Sequence, residues 1–218
     1  VLLSSWSERA GVVEHIKAYR TSYPYLSGMV LSTTHRVANA EVRHEDRRYG
    51  RSGYTLSLTN TFDPRKTELF PKFDWPRVSN PKIVFPLPEH LAEVEAAEKQ
   101  ALHEIEEAVA RHRGDIACLI VEPIQAEGGD NHFRPEFLRE LRRLADVHDF
   151  LLIFDEVQTG LGLTGSMWAW QGLGVEPDLF AFGKKVQVCG FAANRRIDEV
   201  EENVFHVSSR INSTWGGN

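Results

Sequence analysis

Hydrophobic and polar positions follow regular periodicities from about residue 88 onward. Segment 88–114 starts with proline, carries apolar residues at helical spacing and ends in glycine, which predicts a surface helix with a solvated acidic face. Segments 115–125 and 151–157 are short apolar runs typical of strands, and segment 134–149 between them is amphipathic with helical periodicity. These three segments predict a βαβ unit.

The alternation of strands and helices continues beyond that unit. Segment 166–174 predicts a short helix, 177–183 a strand and 190–197 a further strand, whereas the prolines between residues 64 and 88 predict an extended connecting loop. The chain therefore predicts an α/β fold, with a mainly parallel sheet and flanking helices.

Composition narrows the possible functions. The 218 residues are 42% hydrophobic and 26% charged, as in an ordinary soluble globular protein, and the net charge of -6 argues against a nucleic-acid partner. No run of apolar residues is long enough to span a membrane, and basic pairs such as Arg142–Arg143 are expected to be solvated. The chain has two cysteines, which predicts no disulfide framework and favours a reducing, cytoplasmic compartment. No spacing of histidine, cysteine and acidic residues is typical of a metal site, so no metal is expected.

Three successive predicted strands end on charged residues. Glu122 follows the first, Asp155 and Glu156 end the second, and Lys184 follows the third. Ligands of open α/β sheets bind outside the carboxyl ends of the strands, so these side chains are expected to converge on one pocket. A lysine and an aspartate in one cleft suit pyridoxal 5'-phosphate, which needs an amine for its aldehyde and an anion to keep its ring nitrogen protonated.

Two nucleotide-binding motifs compete with this interpretation. The acidic end of the second strand is also typical of nucleotide hydrolases, but the chain has no G-x-x-x-x-G-K-[ST] loop. Gly160–Gly165 satisfies G-x-G-x-x-G, yet no acidic residue ends a second strand at the distance that ribose binding requires. A mobile or tight glycine loop explains this second motif better.

Longer strings resemble a known family. LLIFDEVQTGLGLTG followed by DLFAFGKKVQVC resembles the signature of the class III aminotransferases, and the resemblance runs from about Gly50 to Asn218. GRSGYTLSLTN, FPKFDWPR, EPIQAEGGD, HFRPEF, FGKKVQVCG and NSTWGGN resemble the lysine-specific branch of that class. The resemblance implies the large domain of fold-type-I enzymes that use pyridoxal phosphate.

The resemblance also implies which residues carry the chemistry. Lys184, directly after Gly183, would form the Schiff base with the cofactor, and Lys185 would be structural. Asp155 would pair with the pyridine nitrogen.

Further positions of the family surround the cofactor. Val157 would pack on one face of the ring, Gln158 would hydrogen-bond near the phenolic oxygen and the substrate, and Glu122 would orient this network. Thr214 would reach the phosphate of the cofactor held by the other subunit, which implies a homodimer with shared active sites.

Substrate residues follow from the same resemblance. Arg51 matches the arginine that binds a substrate carboxylate, and Glu127 resembles a carboxylate that swings away when 2-oxoglutarate arrives. The implied reaction moves the ε-amino group of L-lysine to 2-oxoglutarate, giving glutamate and 2-aminoadipate 6-semialdehyde. The alternatives are a related ω-aminotransferase of the ornithine or 4-aminobutyrate type, or an inactive remnant that serves as a binding module.

Residues 1–50 depart from the family. They show no sustained periodicity and no phosphate-binding loop of small residues, so the expected organisation is an atypical segment 1–50 followed by a large domain, 51–218, that ends before the small C-terminal domain. Tyr49 occupies the family's histidine position beside the cofactor, and Arg48 replaces the ring that stacks on it.

Overall fold

A computed structural model describes residues 57–58, 68, 71–203 and 205–207, all within one compact unit that spans Asp46–Gly216. The helices are α1 (Leu87–Arg111), α2 (Pro135–His148) and α3 (Ala169–Leu173). The strands are β1 (Cys118–Val121), β2 (Ile124–Gln125), β3 (Asn131–His132), β4 (Leu151–Asp155), β5 (Leu179–Phe182) and β6 (Gly190–Ala193). Short 3-10 helices cover Lys184–Val186 and Arg195–Glu199. None of the helices described is long and apolar enough to cross a bilayer.

Four strands form one sheet in the order β1-β4-β5-β6. The first three are parallel and β6 is antiparallel to β5, which confirms the predicted α/β fold with a mainly parallel sheet. The extended loop is confirmed for residues 71–84, which contain no helix or strand. Segment 115–125 differs from its prediction as a single strand, because after β1 the chain turns at Pro123 and forms a small β2–β3 hairpin.

Helix α2 supplies most of the apolar surface that covers the sheet. Pro135 occupies its first turn, where the missing N–H costs no hydrogen bond, and Asp149 ends it in a left-handed conformation with φ of 54°. Its buried residues recur at helical spacing, and they are Phe137, Leu138, Leu141, Leu144 and Ala145. They pack with residues of α1 and of the sheet in one hydrophobic core.

Burial alternates along β4, so its two faces have different surroundings. Leu152 and Phe154 are fully buried in the core, whereas Ile153 and Asp155 are only half-buried on the opposite face. The carboxylate of Asp155 therefore ends a strand that the core holds through its other face.

The acidic run of α1 is not wholly a solvated face. Glu98 is buried and accepts two hydrogen bonds from the Arg134 guanidinium, at 2.9 and 2.8 Å, while Glu95 accepts a third at 3.1 Å. The prediction was wrong for Glu98, because helical spacing places it beside Val94 and Ala101 on the packed side, where a bidentate arginine satisfies its charge.

An aromatic cluster packs against the loop between β4 and α3. The ring of Trp168 lies 4.7 Å from that of Phe180 and 5.7 Å from that of Phe182. Gly160 lies directly against Trp168, since a Cβ at position 160 would be 2.4 Å from the indole ring and 2.9 Å from the carbonyl oxygen of Glu156. The loop bends tightly after this point, with left-handed backbone at Leu161, Gly162 and Gly165.

Gly160→Ala is expected to destabilise the chain by about 1–3 kcal/mol, the usual cost of overpacking. The indole of Trp168 cannot move away from a new methyl group because Phe180 and Phe182 pack against it. The Glu156 carbonyl cannot move readily either, because it is part of the backbone. Urea denaturation measures the loss. In a Trp168→Leu background the same substitution should cost much less, and an equal cost in both backgrounds would show that the indole is not the obstacle.

Candidate active site

The carboxyl ends of three parallel strands meet at one edge of the sheet. Val121 is paired in register with Phe154, and Asp155 with Ala181, so Glu122, Asp155 and the turn after β5 lie side by side. The pKa of the Glu122 carboxyl is raised, chiefly because the group is partly buried, although the hydrogen bond from the Ala126 N–H lowers it. The negative charges of Asp155 and Glu127 raise this pKa further and the positive charge of Lys184 lowers it, so these predicted site residues lie in one region around Glu122.

Asp155 and Glu156 are adjacent in sequence but have different surroundings. Asp155 is half-buried, and its Oδ1 accepts a hydrogen bond from the Val157 N–H at 3.0 Å. Glu156 is 1% exposed and accepts from the Thr159 hydroxyl at 2.7 Å and from two amides at the start of α3 at 2.8 Å. Glu156 is thus committed to holding the loop, and Asp155 is the carboxylate available for a ligand.

The adjacent Lys184 and Lys185 also differ in exposure and in hydrogen bonding. Lys184 is exposed, and among the described residues none accepts a hydrogen bond from its ammonium. The half-buried Lys185 donates to the main-chain carbonyl of Gln158. Of the two amines, that of Lys184 is the one available for covalent chemistry.

Gly183 allows the strand-end loops to approach closely. A Cβ at position 183 would lie 3.2 Å from Cys189 Sγ and 3.6 Å from the nearest methyl carbon of Val157. The first distance is tight and the second is an ordinary van der Waals contact, so a side chain at this position would crowd the Cys189 sulfur first. The glycine before Lys184 thus lies between Cys189 and Val157, the residue predicted to face the cofactor ring.

Glu127 lies in a hairpin that the sequence did not predict. It is exposed in the loop between β2 and β3. Gln125 Oε1 accepts from Asn80 Nδ2 at 2.5 Å and Asn131 Nδ2 at 2.9 Å, and Asn131 Nδ2 also contacts the Gly128 carbonyl at 3.0 Å. These amide side chains fix the base of the loop, and strands of two residues carry too little periodicity to be recognised in a sequence.

The influence of Asp155 and Lys184 on the Glu122 carboxyl can be tested directly. Asp155→Asn should lower the pKa of the Glu122 carboxyl because a negative neighbour is removed, and Lys184→Ala should raise it because a positive neighbour is removed. Carbon-detected NMR titration of the cofactor-free chain measures both shifts. Lys99→Ala, an exposed change on α1, serves as the control that leaves the titration unchanged. Shifts of the same sign in the two site variants would contradict the arrangement.

Three predicted site residues, Tyr49, Arg51 and Thr214, lie outside the described residues, and their roles stay predictions. Within the described part, the donor set fits pyridoxal phosphate. On neighbouring loops, Lys184 presents an exposed amine, Asp155 a carboxylate that makes no salt bridge within that part, and Val157 an apolar side chain.

Comparison with known proteins agrees with this set of groups. The family model of class-III aminotransferases matches residues 39–218. L-lysine-epsilon aminotransferase from Streptomyces clavuligerus is 58% identical over 179 residues, which are 82% of this chain and 39% of that protein. The chain therefore spans about two fifths of that relative's length.

Solved structures give the same result. Lysine aminotransferase from M. tuberculosis in the internal aldimine form superposes with a TM-score of 0.73 at 60% identity, covering 78% of this chain and 38% of that one. In sequence alone, a 4-aminobutyrate aminotransferase from Dictyostelium discoideum is 42% identical over 67% of this chain and 30% of its own length. The family uses pyridoxal 5'-phosphate, so the cofactor prediction is confirmed at the level of the family. The chain belongs to the class III aminotransferases.

Proposed function

We propose that the protein transfers the ε-amino group of L-lysine to 2-oxoglutarate, giving glutamate and 2-aminoadipate 6-semialdehyde. The single observation that carries the proposal is the meeting of Lys184, Asp155 and Glu122 at the carboxyl edge of the sheet. The identity of 58% to an L-lysine-epsilon aminotransferase supports lysine as the substrate.

Each residue at the strand ends has a chemical task in this proposal. Pyridoxal phosphate, when bound, supplies an aldehyde for amines and a protonated ring that accepts electrons. Lys184 would provide the amine that holds the cofactor, and its amine would also serve as the base that moves a proton during transfer. Asp155 would hold the proton on the ring nitrogen, and Val157 would pack against the ring.

The neighbouring polar residues orient substrate and cofactor. Gln158 hydrogen-bonds near the phenolic oxygen, and Glu122 orients the network from its half-buried position. In this proposal Tyr49 would bind the cofactor, Arg51 would bind the substrate carboxylate, and Glu127 would leave the site when 2-oxoglutarate enters. The exposure of Glu127 in a hairpin loop is compatible with such movement.

The proposal also covers organisation and assembly. Residues 51–218 form the cofactor-binding large domain after an atypical segment 1–50, and two copies pair so that Thr214 reaches the phosphate in the partner's site. Two exposed free thiols, Cys118 and Cys189, support a reducing, cytoplasmic compartment. Sedimentation of the purified chain with its cofactor tests the dimer, and a monomer at micromolar concentration would contradict it.

The substrate is tested by steady-state kinetics of the chain with pyridoxal phosphate and 2-oxoglutarate. L-lysine should give glutamate with a higher kcat/KM than ornithine or 4-aminobutyrate. Cadaverine, which is lysine without its carboxylate, should be poorer by about 10-fold to 100-fold because a charge-assisted carboxylate contact is lost.

Each other outcome favours a definite alternative. Preference for ornithine or 4-aminobutyrate would place the chain among related ω-aminotransferases. Cofactor retention without transfer to any keto acid would favour the inactive binding module.

A further inference from the structure

The second lysine of the pair joins two loops of the candidate site. Lys185 is half-buried, and its ammonium donates to the main-chain carbonyl of Gln158. Lys185 belongs to the 3-10 turn after β5, which also carries Lys184, whereas Gln158 lies in the turn after β4, which follows Asp155. One hydrogen bond thus connects the loop that carries the amine with the loop that carries the carboxylate.

The turn after β4 is the fixed partner in this contact. The Gly160 N–H donates to the Glu156 carbonyl at 2.9 Å, which closes the turn around Gln158. The buried Glu156 carboxylate also binds the Thr159 hydroxyl at 2.7 Å and the Ala169 amide at 2.8 Å. The residues on both sides of Gln158 are therefore held, and its carbonyl is a rigid anchor for Lys185.

The turn after β5 requires such an anchor. Lys184 has a φ of 47° and Gln187 a φ of 67°. Both values lie in the left-handed region, which residues other than glycine rarely adopt. Among the described residues, two main-chain bonds close the turn, from the Val186 N–H to the Gly183 carbonyl at 3.1 Å and from the Gln187 N–H to the Lys184 carbonyl at 2.8 Å, and the exposed Gln187 side-chain amide adds a long bond to the same carbonyl at 3.3 Å. Strained residues of this kind persist where surrounding contacts hold them, and the Lys185 bond is one such contact at the adjacent residue.

We infer that Lys185 is a positioning residue, whose bond to the Gln158 carbonyl holds the Lys184–Val186 turn against the Asp155–Gln158 segment and so sets where the Lys184 amine lies relative to Asp155. The inference rests on the proposed function for its consequence, although the bond itself does not require the cofactor. It also explains why adjacent lysines differ in exposure, because one side chain is used as a tie and the other is left available.

The test compares Lys185→Met, which removes the donor, with Lys185→Arg, which keeps a cationic donor able to reach a single carbonyl. Hydrogen exchange of the Val186 and Gln187 amides is measured in the cofactor-free 218-residue chain. The absorbance of added pyridoxal phosphate is then followed across pH. Lys185→Met should speed exchange of these amides at least fivefold and shift the pH dependence of the absorbance band, and Lys185→Arg should restore both. Lys99→Met, on an exposed part of α1, should change neither.

Each result separates this inference from the proposed function. Unchanged exchange and an unchanged band in Lys185→Met would overturn the positioning role, even if the protein is active. A wild-type chain that forms no Lys184-dependent band would overturn the proposed function, while the exchange comparison would still decide whether Lys185 holds the turn. Far-UV circular dichroism verifies folding, and Lys185→Leu, which also removes the donor, replaces Lys185→Met if that variant unfolds.

Discussion

Lys184→Ala is expected to eliminate the absorbance band that pyridoxal phosphate develops on the chain, together with transfer from L-lysine to 2-oxoglutarate. The amine of Lys184 is the one available at the edge of the sheet, since that of Lys185 is bound to the Gln158 carbonyl. Loss of both the covalent anchor and the proton carrier should lower the rate by about 10³-fold or more. Spectra at stoichiometric cofactor, with and without borohydride, give the first measurement.

Mapping the reduced site distinguishes Lys184 from other lysines. Peptide mass spectrometry after borohydride treatment should find the cofactor on Lys184 in the wild type and on no single residue in the variant. Lys82→Ala, an exposed change in the extended segment before α1, is the matched control and should keep the band. Modification concentrated on Lys185 in the wild type would refute the assignment.

Asp178→Ala should produce the largest loss of stability, about 3–5 kcal/mol. Asp178 is 2% exposed, and its Oδ2 accepts from the Leu152 amide at 2.7 Å and from Arg142 at 2.8 Å, with Arg196 at 3.4 Å. Removing the carboxylate leaves the buried Leu152 N–H of β4 without this acceptor. It also removes the buried counter-ion of the Arg142 and Arg196 guanidinium groups, which are themselves poorly exposed. Urea denaturation followed by circular dichroism measures the change.

A second partner of Arg142 provides a control that distinguishes the effect of burial from that of ion pairing. Asp146 also binds Arg142, at 2.6 Å, but its side chain is 61% exposed, so Asp146→Ala should cost less than about 1 kcal/mol. Asp178→Asn keeps an oxygen for the Leu152 amide and should fall between the two. Equal losses for Asp146→Ala and Asp178→Ala would mean that burial is not the source of the effect.

The charged strand ends could be predicted because parallel pairing leaves little choice. Once β1, β4 and β5 are recognised as neighbouring apolar runs, the residues after them must meet at one edge, and Glu122, Asp155 and Lys184 do so. Which carboxylate and which lysine are available could not be derived from periodicity. That depends on contacts made by Glu156 and Lys185 with distant residues.

Buried charges were the main failure of the sequence prediction. Arg142 was expected to be solvated, but its side chain is 19% exposed and binds Asp178, which lies 36 positions further along the chain. Glu98 on the acidic helix likewise finds Arg134 at a separation of 36. A charge is usually found at the surface because burial is costly, and the exceptions depend on partners that only the folded chain brings together.

The alternation along β4 makes the site sensitive to insertion and deletion in a way that substitutions do not reveal. Leu152 and Phe154 lie in the core and Asp155 on the other face, while Glu156 is enclosed at the start of α3. Loss or gain of one residue within this strand would exchange the two faces, so that Asp155 would turn toward the apolar core and a different side chain would take its place at the strand end. The number of residues between Leu152 and Asp155 therefore matters to the site in addition to the identity of Asp155.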